Sequence, residues 1–159
     1  VGSMAAVRSV SQVGARLSTP IPAISIQRQC QHFLYDDRCR VDRASFDVAT
    51  TVSSVSGYNV TVASVGGNPD DWFKAGEIVR ASDGERRTIV GNVGAVLSLI
   101  APFATLSASD SVTLYAGCAH TIEVCRDKFS NVLNYGGHPQ IPSSNPFDVP
   151  LTRLTLRGL

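Results

Sequence analysis

Four cysteines are the residues of this 159-residue chain with the most specific chemistry. They form two pairs, Cys30 with Cys39 and Cys118 with Cys125, with eight and six residues between the members of a pair. Thiolates bind zinc and iron–sulfur clusters, and paired cysteines can also form disulfides. The chain opens without the hydrophobic run of a signal peptide. We therefore expect it to fold in a reducing cytoplasm, where a metal is more common than a disulfide.

The spacing within each pair restricts how the four thiols could share one centre. Cys118 and Cys125 would lie on nearly the same face of a helix, two turns apart. Cys30 and Cys39 can meet only if the chain turns between them, and Asp36-Asp37 is a suitable place for a turn. Zinc ligands are usually separated by two to four residues, which neither pair matches. Zinc, two disulfides and four separately buried cysteines stay open as alternatives.

Basic residues flank both pairs. Arg38, Arg40 and Arg126 are close to the cysteines in the sequence, and cationic neighbours lower thiol pKa values and offset the charge of metal-bound thiolates. We predict that these arginines surround the site. His32 and His120 each follow a cysteine by two residues, and we expect them to support the ligands or lie at the surface. The sequence offers no recognisable set of nucleophile, base and oxyanion donors, so no enzymatic activity is predicted.

The stretch between the two pairs has the pattern of short β-strands. Valine- and threonine-rich runs recur along it, separated by turn signals such as Gly57-Tyr58-Asn59 and Asp83-Gly84. The runs are SFDVATTVSSV, YNVTVASV, GEIVRAS, RRTIVG, AVLSLI and SVTLYA. Apolar and polar residues alternate within several of them, as in half-buried strands. The expected fold is mainly β, a small antiparallel barrel or sandwich.

This barrel is inserted between the two halves of the cysteine site. We assign residues 1–29 to an N-terminal arm or strand, residues 45–116 to the barrel and residues 143–159 to a C-terminal loop and strand. Residues 30–44 and 117–142 form a four-cysteine metal-cluster subdomain with a short helix, expected within residues 117–135. The net charge of +1 gives no reason to expect a nucleic-acid partner. No apolar run approaches the roughly 18 to 20 residues of a membrane helix.

Both cysteine segments resemble a conserved phage family whose genes lie beside the tail hub genes of siphophages and gene transfer agents. The matching segments are CQHFLYDDRCRVDRASF at residues 30–46, WFKAG at 72–76 and the stretch 117–142, which contains GC and CRDKF. The family pattern has glycine where this chain has Arg40. Near the end, YGGHP at residues 135–139 replaces the family's common FRGFP or FRGHP. Neither departure removes a cysteine.

The resemblance implies a function and a cofactor. The cysteine spacing is similar to that of the tail tip protein of lambda-type phages, in which four cysteines hold an iron–sulfur cluster. It implies that Cys30, Cys39, Cys118 and Cys125 hold one cluster of the 4Fe–4S type, with zinc as the alternative. It further implies a non-catalytic virion protein of the distal tail tip, assembled in the bacterial cytoplasm in several symmetric copies, three by analogy. Its partners would be hub, distal tail, tail fibre or tape measure proteins. A zinc-stapled interaction module and a redox or sensing iron–sulfur protein stay open as other functions.

Overall fold

The computed structural model describes residues 26–142. The predicted C-terminal loop and strand, and almost all of the predicted N-terminal arm, lie outside these residues. Every cysteine lies inside them. No helix within the described range has the length and apolar character needed to cross a bilayer.

Six antiparallel strands close into a barrel in the order β1-β2-β5-β4-β3-β6. The strands are β1 (Asp47–Ser56), β2 (Asn59–Val62), β3 (Glu77–Arg80), β4 (Arg86–Val93), β5 (Val96–Leu99) and β6 (Ser111–Tyr115). Each of the six apolar runs in the sequence forms one of them. The prediction of a small antiparallel β-barrel is therefore confirmed, and closure leaves no exposed sheet edge among these strands.

The barrel interior is filled by the apolar residues of the alternating pattern. In β2, Val60 and Val62 are buried, and in β6 Val112 and Leu114 are buried. The long loop between β2 and β3 adds Phe73, which is fully buried in the same core. Within the barrel, the side-chain oxygen of a buried asparagine on β4 accepts the Phe73 N–H at 3.0 Å. Phe73 thus anchors the loop to the barrel.

The helix is shorter than the sequence pattern predicted. Helix α1 spans only Ile122–Asp127, and a single 3-10 turn, Val132–Asn134, follows it. Thr121 is the N-cap in an extended conformation, and His120 before it has φ +59°, which ends any helix coming from Cys118. The expectation that one helix carries both Cys118 and Cys125 is therefore wrong. Capping decided this, because the Thr121 hydroxyl satisfies the Val124 N–H at the helix start.

A second, smaller core joins the cysteine segments to the barrel. Its buried members are Cys39, Val41, Ala116 and Phe129. The ring of Phe129 packs edge-on against Phe46, with 4.8 Å between the ring centroids. Both segments are thus attached to the barrel by apolar contacts as well as by the chain itself.

Candidate metal centre

Strand pairing in the barrel brings the two cysteine segments together. The first residue of β1, Asp47, is paired with the last residue of β6, Tyr115. The chain therefore enters and leaves the barrel side by side. Cys39, 8 residues before Asp47, and Cys118, 3 residues after Tyr115, both contact the smaller core around Ala116. An insertion of about 70 residues consequently leaves the two pairs in one neighbourhood.

The first pair is shaped by a turn at Asp36, as the sequence predicted. The Asp36 carboxylate accepts the backbone N–H groups of Arg38, at 3.0 Å, and of Cys39. The Asp36 carbonyl accepts the Arg40 N–H at 2.8 Å. The N–H groups of Cys39, most strongly, and of Arg38 hold the pKa of the Asp36 carboxyl below its usual value. Arg40 has φ +59°, a conformation that favours glycine, which is the residue of the family pattern at this position.

Cys30 is fixed against the second segment by its backbone and its sulfur. Its N–H donates to the His120 carbonyl at 2.8 Å, and its carbonyl lies 3.1 Å from the His120 Nδ1. Its Sγ accepts the Gly136 N–H at 3.3 Å. A side chain at position 136 would meet the His32 ring at 2.5 Å, so this approach requires glycine. The His32 Nδ1 in turn lies 3.0 Å from the Asn134 carbonyl. Both histidine rings therefore contact backbone carbonyls of the site.

The second pair lies on either side of the helix start. Half-buried Cys118 precedes α1, and its Sγ accepts the His120 N–H at 3.3 Å. Cys125 is buried within α1, and its thiol donates to the Asn131 carbonyl at 3.2 Å. The Asn131 amide nitrogen lies 3.8 Å from the Cys39 Sγ. The sulfurs of Cys30, Cys39 and Cys118 therefore each have an N–H group beside them.

The four thiols share one electrostatic environment. Burial, together with the neighbouring thiolates of Cys118, Cys30 and Cys39, raises the pKa of Cys125 to about 11. Burial also raises the pKa of Cys118, with further contributions from Cys30 and Cys39. All four cysteines carry free thiols. Four neighbouring thiolates, two of them buried, would repel one another, so their joint ionisation requires a compensating cation.

The three arginines that were predicted to surround the thiols lie at the surface. Arg38, Arg40 and Arg126 are exposed. The Arg40 Nε donates to the Asp37 carbonyl, and Arg126 pairs with the neighbouring Asp127. Their predicted role around the thiols stays a prediction.

Lys128 is the cation that acts on Cys118, whose pKa it lowers. Its Nζ donates to the carbonyls of Gly117, at 2.7 Å, and of Trp72. It also lies 4.4 Å from the centroid of the Trp72 ring. Burial lowers the pKa of Lys128 to about 8. One of its carbonyl partners, Trp72, lies in the loop before β3, 56 positions away in the sequence.

The donor chemistry of the site fits a soft, thiolate-binding metal group. Four cysteine sulfurs are the ligand type of structural zinc and of iron–sulfur clusters. Within residues 26–142, no group of three or more His, Cys, Asp or Glu side chains is arranged to hold a metal ion. The fit therefore rests on the type of the donors and not on a preformed geometry.

Comparisons with known proteins agree with the phage resemblance. The family described as phage conserved hypothetical protein BR0599 matches residues 71–145, just under half of the chain. No curated protein matches the chain significantly. A chain from the solved virion of a native gene transfer agent particle has a TM-score of 0.64 and 24% identity, over 87% of this chain and 53% of that one. This chain thus spans about half the length of that relative and shares its fold. The similarity to a conserved phage family is confirmed.

Proposed function

We propose that this protein is a structural component of the virion of a tailed phage or gene transfer agent, located at the distal tip of the tail. In this proposal Cys30, Cys39, Cys118 and Cys125 hold one iron–sulfur cluster of the 4Fe–4S type. The family match and the fold shared with a gene transfer agent virion chain support the virion role, and the convergence of four free thiols where both chain segments leave the barrel supports the cluster. A non-catalytic role, several copies around the tail axis and assembly in the host cytoplasm belong to the same proposal.

The chemistry of the site supports a cluster that stabilises the fold. When bound, the cluster would cross-link the two cysteine segments and offset the charge of their thiolates, and its binding energy would add to folding free energy. A tetrahedral zinc ion, with Zn–S bonds of about 2.3 Å, needs sulfurs about 3.8 Å apart. A cluster of several irons is larger and accepts ligands that lie farther apart. N–H groups beside the sulfurs are also a means by which proteins stabilise clusters.

Exposed apolar side chains support contacts with neighbouring virion proteins. On the barrel, Val93 is 73% exposed and Ile100 is 66% exposed. Beside the cysteine site, Phe33 is 79% exposed and Leu133 is fully exposed. Contiguous exposed apolar patches mark protein interaction sites, and in this proposal the contacts with neighbouring proteins lie at these four side chains. An adaptor between two tail components needs a surface on each of its parts, and these residues supply apolar contacts on both.

Metal content of protein purified without oxygen tests the cofactor directly. We expect about four irons and four sulfides per chain and a broad brown absorbance that bleaches on reduction. One zinc per chain and no visible absorbance would show that a zinc ion, and not a cluster, cross-links the two cysteine segments. The structural role would then still hold. Protein that folds to the same stability with and without a chelator, and carries no metal, would contradict the account of what stabilises it.

Assembly of tails tests the structural role. We expect Cys118→Ser and Cys39→Ser each to lose the cluster and to block the formation of infectious particles. Ser98→Ala is a suitable control, because Ser98 is an exposed barrel residue whose hydroxyl contacts only Asn59 among the described hydrogen bonds. Normal particle yield from the cysteine variants would refute the structural role, whereas loss in the control as well would show that the assay reports general instability.

A further inference from the structure

Asn131 contacts one cysteine of each pair. Its N–H donates to the Cys125 carbonyl at 2.9 Å, and its carbonyl accepts the Cys125 thiol at 3.2 Å. Its side-chain amide donates to the Cys39 carbonyl and lies 3.8 Å from the Cys39 Sγ. Cys39 and Asn131 are 92 positions apart in the sequence. This half-buried residue therefore connects the two halves of the candidate ligand set through atoms of its own.

The orientation of the Asn131 amide is set by its partners. The Cys39 carbonyl can only accept a hydrogen bond, so the amide nitrogen must face it. The other end of the amide, Oδ1, accepts the Asn134 Nδ2 at 2.6 Å. Asn134 is held in turn by its carbonyl, which lies 3.0 Å from the His32 Nδ1. The donor face of Asn131 is thus directed at Cys39 by contacts on both sides.

We propose that Asn131 is a positioning residue that holds Cys39 and Cys125 ready for the metal through their backbone carbonyls, and that it sets the negative charge that the Cys39 sulfur can carry. This inference rests on the proposed function, because it requires that the cysteines hold a cluster. An N–H group directed at a ligand sulfur stabilises the more negative, reduced state, so its removal lowers the reduction potential. The fixed amide also keeps the two cysteines together before the metal arrives. Partners of this kind typically change metal retention by ~10- to 100-fold when they are removed.

Two substitutions separate the effect of losing the hydrogen-bond donor from the effect of adding a negative charge. Asn131→Asp keeps the shape and the acceptor oxygen but replaces the donor by a negative charge. Asn131→Ala removes the donor without adding charge. Asn59→Asp is the matched control, since Asn59 is exposed on the barrel and its Oδ1 accepts the Ser98 hydroxyl at 2.9 Å, a contact that aspartate can keep.

The measurements are iron retained against a chelator, the midpoint potential of the bound cluster and the melting temperature of the metal-free protein. We expect both Asn131 variants to lose iron ~10- to 100-fold faster than the wild type. We also expect their potentials to shift to more negative values, further for aspartate than for alanine. The Asn59 control should match the wild type in both respects. A melting temperature lowered in the variants, with iron retention and potential unchanged, would make Asn131 merely structural and would overturn the inference.

The outcome for the wild type separates this inference from the proposed function. Wild-type protein that takes up no iron–sulfur cluster would overturn both. Wild-type protein that takes up the cluster, with Asn131 variants that retain it equally well at the same potential, would overturn the positioning role alone.

Discussion

Gly117 controls how the cysteine segment leaves the barrel, and replacing it with alanine should weaken the fold and, under the proposed function, the cluster site. Gly117 is buried between β6 and Cys118, where the chain crosses the loop before β3. A Cβ atom at Gly117 would lie 1.8 Å from the Lys74 carbonyl oxygen and 2.3 Å from the Gly76 nitrogen. Both are backbone atoms, so no side-chain rotation can relieve the contact.

The expected cost follows from that geometry. A carbon and a carbonyl oxygen normally stay about 3.3 Å apart or more, so the two backbones would have to separate by about 1.5 Å. Overpacking typically costs about 1–3 kcal/mol, and a clash with main chain on two sides belongs at the upper end. The lower entropy of the unfolded alanine chain offsets about 0.4–1 kcal/mol. We therefore expect Gly117→Ala to lower the unfolding free energy by about 2–2.6 kcal/mol and the melting temperature by roughly 4 to 10 °C.

Urea unfolding followed by tryptophan fluorescence is a direct assay, because the chain has one tryptophan and its carbonyl accepts the Gly117 N–H at 3.4 Å. Gly91→Ala is the matched control. Gly91 lies on β4, and the atom nearest to its Cβ position is a carboxylate oxygen of Asp71 at 3.1 Å, which can turn away. Iron content should fall in the Gly117 variant and stay normal in the control. Equal stabilities for the two variants would refute the crossing argument.

The remaining predictions concern the core, the junction and the acid stability of the barrel. Phe73→Ala should lower the unfolding free energy by about 3–5 kcal/mol in urea titration, because this fully buried ring fills the barrel core. A loss below about 1 kcal/mol would mean that the core collapses around the gap. Lys128→Met should cost about 2 kcal/mol and shift the tryptophan fluorescence, because two carbonyls lose a charged donor. Unchanged fluorescence would mean that the Lys128 ammonium does not contact Trp72 when the protein is in solution. The Glu85 N–H and the Arg80 side chain lower the pKa of Asp83, so its contribution is present above about pH 4 and is lost as the pH falls through the lowered value. Asp83→Asn should therefore flatten the loss of melting temperature on acidification, and an identical pH profile would contradict this.

Local pattern was sufficient to predict the strands because their determinants lie within a few residues. Alternation of apolar and polar residues is read directly along Asn59–Val62 and Ser111–Tyr115, and both are strands with the expected buried faces. The turn at Asp36 was equally local, since an aspartate side chain caps N–H groups two and three residues ahead. The start of α1 is also set locally, by the Thr121 cap. The prediction extended the helical stretch back past this cap to Cys118 and was therefore wrong.

The residues that serve the cysteine site had no such local signal. Nothing near Asn131 in the sequence indicates that its amide faces Cys39, and nothing near Lys128 indicates two carbonyl partners at the barrel exit. Gly136 is followed by a second glycine, a pattern typical of a loop. Glycine is needed at position 136 because a side chain there would meet the His32 ring, which belongs to a distant part of the chain.

The sequence by itself thus determined the β-rich class and the six strands, and it singled out the four cysteines as the predicted metal ligands. Only the tertiary structure decided that these cysteines meet, because their approach depends on the pairing of Asp47 with Tyr115, residues that are far apart in the chain. It also decided which groups surround the thiols. Residue types and short-range periodicity are properties of neighbouring positions, whereas barrel closure and the contacts of Asn131 and Lys128 join positions that the sequence pattern does not relate to one another.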